Sequence, residues 1–386
     1  MTELTTRPDP TASGAEPGRA APWVVLFSAT PWRGGAHRQH ALARELTADH
    51  RVLFVDPPGG YPRWRTTVAR VDRALWHVVP PTAVPLGRHL PVGNLVNRWV
   101  AVAALRRWLH RDGGHVRLLW LDEDLAAPCA ARLAAAAVVY DATDLDWTFT
   151  RWWNRGHLRR NLARAVASAD LVLASSTALP ERMPPLGPTP VVLPNGCDPT
   201  HFAPDGPTAP EVDRLQGPVV GYCGAVDTRA FDADLVAAVA RSRPEWTFLL
   251  VGPSTRAGRA PLRGLRNVVL TGPAGYGDVP ELLRGCDVTV IPYRVGGRID
   301  YVHPKKCYEY LALGKPVVAT PLPALRDLTD VVRLAAGPEA FTEAITAALD
   351  VADVPEEVAR RRAVALENRW AVRGRHLRGL LEGLPR

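Results

Sequence analysis

The amino-acid sequence predicts an α/β protein of two doubly wound domains, each a parallel sheet with helices on both faces. Three observations carry this expectation. From about residue 22, short Val/Leu/Ile runs alternate with helical patterns, and strands apolar on both faces belong to buried parallel sheets. The series occurs twice, once in each half of the chain. Finally, 386 residues exceed the size at which one hydrophobic core keeps growing.

The elements follow in order. Residues 1–21 are rich in Pro, Thr, Gly and Ala and hold no hydrophobic run, so they read as a disordered tail and not as a signal peptide. Residues 22–196 form the first domain, with strands expected at Trp23–Phe27, Arg51–Val55, Arg117–Leu121, Ala137–Asp141, Leu171–Ser175 and Pro190–Pro194. The second domain, residues 197–365, has strands expected to begin at Pro218, Thr247, Asn267, Val288 and Pro316. Pro, Asn-Gly and Asp cluster between Val191 and Pro207, as turn and linker chemistry demands. Residues 366–386 read as a C-terminal helix that can pack back on the first domain. Ligands of open α/β sheets sit beyond the carboxyl ends of the strands, so two facing domains enclose a cleft.

Composition narrows the function. No apolar run is long enough to span a bilayer, and the expectation is a cytoplasmic protein. The five cysteines are widely spaced without a C-x-x-C pair, which argues against a zinc site and a disulfide framework. A formal net charge of +8 suits phosphorylated metabolites, anionic lipid or nucleic acid. Nucleic acid is least supported, because the arginines are dispersed and no recognition module is present. Ten of the twelve tryptophans precede residue 154, and Asn97–Arg111 and Arg151–Arg164 join Trp to Arg on expected helices. Such helices can lie peripherally on an anionic membrane, or simply present solvated arginine faces.

The stretch PKKCYEYLALGKPVVAT, Pro304 to Thr320, holds the most chemistry. Pro304 suits a first helical position, Gly314 a left-handed C-terminal stop, and Pro316 bars continuation. Lys305, Lys306 and Glu309 gather near the N-terminal end, where free N–H groups favour a phosphate. Glu309 either pairs with a lysine one turn away or meets a ligand. Lys306, Arg229 and Arg294 are candidates for a diphosphate, Arg298 a weaker one, and Gly224, ending the first strand of the second domain, is a candidate donor contact. In the first domain, Gly34 and Gly35 follow the first strand, where glycines let a backbone approach a phosphate or sugar. His37 and Asp141 are candidate acceptor contacts, with His40 one turn on. Asp144 is a candidate base or sugar-hydroxyl acceptor, and Asn195-Gly196 a hinge or turn. No D-x-D element stands out as a metal site.

At PNGCDPTHF, followed by the Pro304–Thr320 stretch, the sequence resembles GT-B glycosyltransferases of the family 4 type, particularly bacterial transferases of cell-surface polysaccharides, including teichuronic acid enzymes. TPWRGGAHRQHALARELTADHRVLFVDPP, YDATDLDW, GYCGAVDTRAFDADLV, CDVTVIPYR and NRWAVRGRHL extend the resemblance over nearly the whole chain. It implies two Rossmann-like domains facing across a cleft and a nucleotide-diphosphate sugar as substrate, with no separate cofactor. It also implies a polysaccharide or lipid-linked acceptor, retention of anomeric configuration, and cations with backbone amides in place of a metal. Glu309 matches the glutamate that binds the donor ribose hydroxyls. Tyr301 stands where many members carry the first acidic residue of an E-x7-E motif, Asp300 is one position out of register, and His303 stands where Asn is frequent. The other readings are a nucleotide-sugar epimerase of the same fold and a non-catalytic nucleotide-sugar binder. A nicotinamide dehydrogenase lacks its G-x-G-x-x-G signature here.

Overall fold

The computed structural model describes residues 21–33, 37–143 and 154–385. Gly34, Gly35, Asp144, Arg151–Trp153 and the N-terminal tail through residue 20 lie outside the described residues.

The first sheet comprises β1 (Trp23–Phe27), β2 (Arg51–Val55), β3 (Thr67–Asp72), β4 (Leu75–Val79), β5 (Val116–Leu121), β6 (Ala137–Ala142), β7 (Leu171–Ala174) and β8 (Val191–Val192). Their spatial order is β3-β4-β2-β1-β5-β6-β7-β8. Only the β3–β4 pairing is antiparallel. Every residue of β1 and β2 is buried, which is why β1 and, after Arg51, β2 appear in the sequence as apolar runs. β3 is an edge strand exposed along nearly its whole length, so it has no apolar run and the β3–β4 hairpin escapes sequence inspection.

The second sheet contains β9 (Val219–Cys223), β10 (Thr247–Val251), β11 (Val268–Gly272), β12 (Val288–Ile291), β13 (Val317–Ala319) and β14 (Val332–Leu334). All neighbours are parallel, in the order β11-β10-β9-β12-β13-β14. This is the doubly wound order in which the winding reverses beside the first strand, opening a crevice at the carboxyl ends of β9 and β12. The first sheet reverses between β1 and β5 in the same way. Each sheet has its own hydrophobic core, the first on both faces. All five cysteines are free thiols. Among the described residues, no helix is long and apolar enough to cross a membrane.

Two passages of the chain lie side by side between the sheets. Cys197 N–H donates to the Asn368 carbonyl (3.2 Å), and Trp370 N–H donates to the Cys197 carbonyl (3.0 Å). Beyond that point helix Trp370–Glu382 packs on helix Arg38–Leu46. Gly374 is required there, because a Cβ would fall 2.3 Å from Glu45 Oε2.

A buried ion pair ties the first domain together and corrects one expectation. Asp141 is fully buried at the end of β6. Its oxygens accept bonds from Arg38 Nε (2.9 Å to Oδ2) and Nη2 (2.9 Å to Oδ1), while Arg38 Nη1 donates to the Leu193 carbonyl at 2.7 Å. Asp141 is therefore not an acceptor contact; it holds the helix that begins at Arg38 against β6 and the exit of β8. Removing one partner of a buried pair strands a charge and costs about 3–5 kcal/mol. Asp141→Ala should lose that amount in urea unfolding, and Arg38→Met combined with Asp141→Leu should recover most of it.

Candidate active site

The crevice of the second domain is built around Lys306. Helix Lys306–Ala312 is fixed in register because Cys223 N–H, at the end of β9, donates to Tyr310 Oη at 2.8 Å. That register sets the Lys306 ammonium 4.3 Å from the Tyr222 ring centre and 5.1 Å from that of Tyr293. Gly224 completes the cradle: its φ is +153°, and a Cβ there would fall 2.3 Å from Lys306 Nζ and 2.7 Å from Tyr222 Oη. Only glycine leaves room for the ammonium. Gly252, at the end of β10, is equally constrained, since its Cβ would fall 2.2 Å from the Gly224 carbonyl oxygen. Burial works against the Lys306 charge, but Tyr222 and then Tyr293 outweigh it and hold the pKa above the ordinary lysine value. The result is a fixed cation at the switch point of the sheet.

Glu309 lies one turn further on, nearly buried. Lys305 Nζ donates to its Oε1 at 2.8 Å, so the ion pair expected from the sequence forms, with Lys305 and not Lys306 as partner. Lys305 also stands 5.3 Å over the Tyr276 ring, which stacks on His201 at 4.2 Å. The helix stops as expected at Gly314, whose φ is +75°.

The first domain contributes His37. Burial lowers its pKa; Lys305 lowers it further, and Glu309 opposes both, so His37 senses the charges of the Lys305–Glu309 pair and is biased toward the neutral imidazole. His40 positions it. His40 Nε2 lies 3.1 Å from the Pro31 carbonyl, which can only accept, so the proton resides on Nε2 and Nδ1 accepts from His37 N–H at 3.3 Å. Asp122, at the end of β5, was not singled out from the sequence although WLDED places it at a strand terminus. Its Oδ2 accepts from Ala29 N–H at 2.9 Å, while burial first, and the Asp141 carboxylate second, push its pKa well above the usual range. A carboxyl whose charge is disfavoured by burial thus underlies the loop after β1.

The domains meet around these groups. Asn195 Nδ2 donates to the His303 carbonyl at 2.8 Å, and Ser176 Oγ to the Tyr301 carbonyl at 2.7 Å. Arg182 stands over the Tyr301 ring at 5.3 Å. Tyr301 is therefore an interdomain contact, and Asp300 accepts from Gly296 N–H within its own loop. Of the candidates from the sequence, Gly224, Lys306, Glu309 and His37 converge. Arg294 does not: its guanidinium turns to Asp234 at 3.4 Å on the surface, because its backbone is held by the Ala230 carbonyl. Arg229 is exposed in the loop after Gly224, where its own carbonyl receives Arg298 Nη2 at 3.3 Å. The cradle residues Tyr222, Tyr293 and Tyr310 are additions; each reads in sequence as an ordinary core aromatic.

Two buried histidines give the site region a pH signature. Burial pushes His40 down to about 4 and His303 to about 3. The unfolded chain, with histidines near 6.5, then binds more protons than the folded one throughout that window. Stability is present above about pH 6.5 and lost as pH falls toward the folded values. The slope is about 1.4 kcal/mol per pH unit for each histidine. Asp122, which holds its proton more readily in the folded chain, works in the opposite sense, so the His40 share is the difference in pH slope between wild type and His40→Gln in urea unfolding from pH 7.5 to about 5.

Two doubly wound domains whose switch points face each other, with a fixed cation at one of them, define the GT-B fold. Residues 217–351, within the second domain, match the family described as Glycosyl transferases group 1. Over 122 residues the chain is 38% identical to TuaH of Bacillus subtilis (strain 168), assigned as a teichuronic acid biosynthesis glycosyltransferase. That match spans 30% of each chain. Among solved structures, a sucrose-phosphate synthase from Thermosynechococcus elongatus superposes with a TM-score of 0.72 at 16% identity, covering 94% of this chain and 98% of the other. Anabaena Alr3699/HepE, solved in complex with UDP, gives 0.63 at 17% identity, with 94% and 100% covered.

Proposed function

We propose that the chain is a glycosyltransferase that moves a sugar from a nucleotide-diphosphate sugar to a polysaccharide or lipid-linked acceptor of the cell envelope. The observation that carries the reading is the Lys306 ammonium, held between Tyr222, Tyr293 and Gly224. In this reading the diphosphate lies against Lys306. As the bond from the anomeric carbon to the diphosphate oxygen breaks and the bond to the acceptor oxygen forms, negative charge grows on the leaving group. A cation already in place stabilises that charge without reorganising. The acceptor proton passes to the departing diphosphate from the same face of the sugar, which gives retention, and Lys306 supplies the charge compensation with no metal in the step.

Glu309 takes the ribose. A vicinal diol offers two donors, and a carboxylate accepts both in charge-assisted form. Lys305, now on Oε1, orients that carboxylate. His37, biased toward the neutral form and across the cleft, is placed for the acceptor side or the donor sugar. UDP in the Anabaena neighbour and teichuronic acid synthesis for the Bacillus relative support a nucleotide donor and an envelope acceptor.

The test is release of nucleoside diphosphate from a panel of nucleotide sugars, with and without lipid-linked or oligosaccharide acceptors. Acceptor-dependent release from one donor is expected. Interconversion of donor without acceptor would instead assign an epimerase, and binding without turnover a non-catalytic protein.

A further inference from the structure

Between Pro57 and Arg111 the chain carries nine arginines and a single carboxylate, Asp72; of the nine, Arg98 is buried against Glu123, to which Arg88 also binds. The same stretch leaves large apolar side chains in water: Tyr61 is 86% exposed, Trp64 78%, Leu86 76% and Val92 73%. They form one surface. Arg63 and Thr82 exchange backbone hydrogen bonds, Gly59 N–H donates to Thr82 Oγ1 at 3.0 Å, and a Cβ on Gly60 would stand 3.5 Å from Leu86 Cδ2. The turn carrying Leu86 is pressed on the start of helix Pro91–Asp112, where a Cβ on Gly93 would fall 2.9 Å from the Gly87 Cα.

Leu86 is the telling residue. It has the one positive φ (54°) of any non-glycine among the described residues, a backbone state unfavourable for a side chain with a Cβ. The fold keeps that strain yet gains no burial from it, which points to a use for the side chain outside the molecule. Arg63 and Arg65, both exposed, flank Trp64. Both loops leave the carboxyl ends of parallel neighbours, β2 and β4, on the edge of the sheet where the crevice opens. Arg88 fastens this rim to the loop after β1 through the Ala29 carbonyl (2.9 Å) and Glu123.

Aromatic and aliphatic tips interleaved with arginine and free of carboxylates match the interfacial zone of an anionic bilayer, where rings enter the headgroup layer and arginines meet phosphates. A second copy of the chain would set arginine against arginine. We propose that this rim docks on an anionic lipid surface and holds the mouth of the cleft at the membrane. Delivery of a lipid-linked acceptor there rests on the function proposed above; the docking itself does not.

The test is co-sedimentation of the full chain with vesicles of phosphatidylcholine alone or containing phosphatidylglycerol. The wild type should bind the anionic vesicles, less so at raised salt, and leave the neutral ones. Arg63→Gln with Arg65→Gln should weaken binding by roughly tenfold or more, at about 1 kcal/mol for each arginine. Trp64→Ser with Leu86→Ser should weaken it comparably with Tm unchanged. Leu86→Gly should keep or raise Tm while binding still falls, separating display of the side chain from folding. No binding by the wild type, equal binding to neutral vesicles, or binding indifferent to both paired variants would overturn the proposal. So would a concentration-dependent dimer in light scattering that Trp64→Ser with Leu86→Ser abolishes, since the face would then belong to a second copy.

Discussion

Lys306→Ala is expected to lower turnover by about 10²–10³-fold, with a much smaller change in donor KM. A cation against the diphosphate gains most when the leaving group carries its full charge, so its removal falls on kcat more than on ground-state binding. The cradle makes the prediction sharper. Tyr222, Tyr293 and Gly224 fit an ammonium, and a Cβ on Gly224 would already collide with it at 2.3 Å. Lys306→Arg should therefore fail to rescue, although it keeps the charge, because the guanidinium is planar and larger. Lys306→Met, which keeps the length without the charge, separates loss of charge from loss of packing. Equal effects of Ala and Met on kcat with unchanged Tm would assign the role to charge, as measured by steady-state kinetics on the donor found in the panel.

Glu309→Ala should weaken nucleotide affinity by tens of fold or more, since each hydrogen bond to a charged group contributes about 1.5–3 kcal/mol. Glu309→Gln, which retains one acceptor, should fall between. The ion pair with Lys305 offers the ordinary explanation of Glu309, and the two are separable. An i,i+4 pair contributes about 0.2–0.5 kcal/mol, so Lys305→Ala should scarcely alter stability and should leave Glu309 able to accept the ribose. If Lys305→Ala and Glu309→Ala lost nucleotide binding equally, the lysine would be a ligand contact in its own right. Isothermal titration with the preferred nucleoside diphosphate distinguishes these outcomes.

Much of this architecture is legible in the sequence because buried parallel strands have nowhere to place a polar residue. β1 and β2 are apolar at almost every position, and Gly314 takes the left-handed φ its place after the helix demands. What escaped is set by partners far along the chain. Asp141 at a strand end looks like a catalytic acid until Arg38, 103 residues earlier, is found on it. Trp108, which in sequence joins the Trp/Arg pattern of a surface helix, packs edge-on to Trp23 in the core at 5.3 Å. Tyr222 and Tyr293 look like core aromatics until the helix register brings an ammonium between them. Arg294 follows a strand end, as a phosphate ligand would, yet its backbone tether aims it at Asp234. The edge strands β3 and β14 carry too little apolar sequence to announce themselves.

The most direct test of the central claim is a thermal-shift panel of UDP, GDP, ADP and TDP and their common sugar conjugates on the wild type and Glu309→Ala. A ligand that binds only the folded chain stabilises it by RT ln(1 + L/Kd) at free ligand concentration L, and so raises Tm. One nucleotide class should raise Tm in the wild type, and at the same ligand concentration the rise should be markedly smaller in Glu309→Ala. Absence of any rise at millimolar ligand, or an equal rise in both proteins, would contradict the claim.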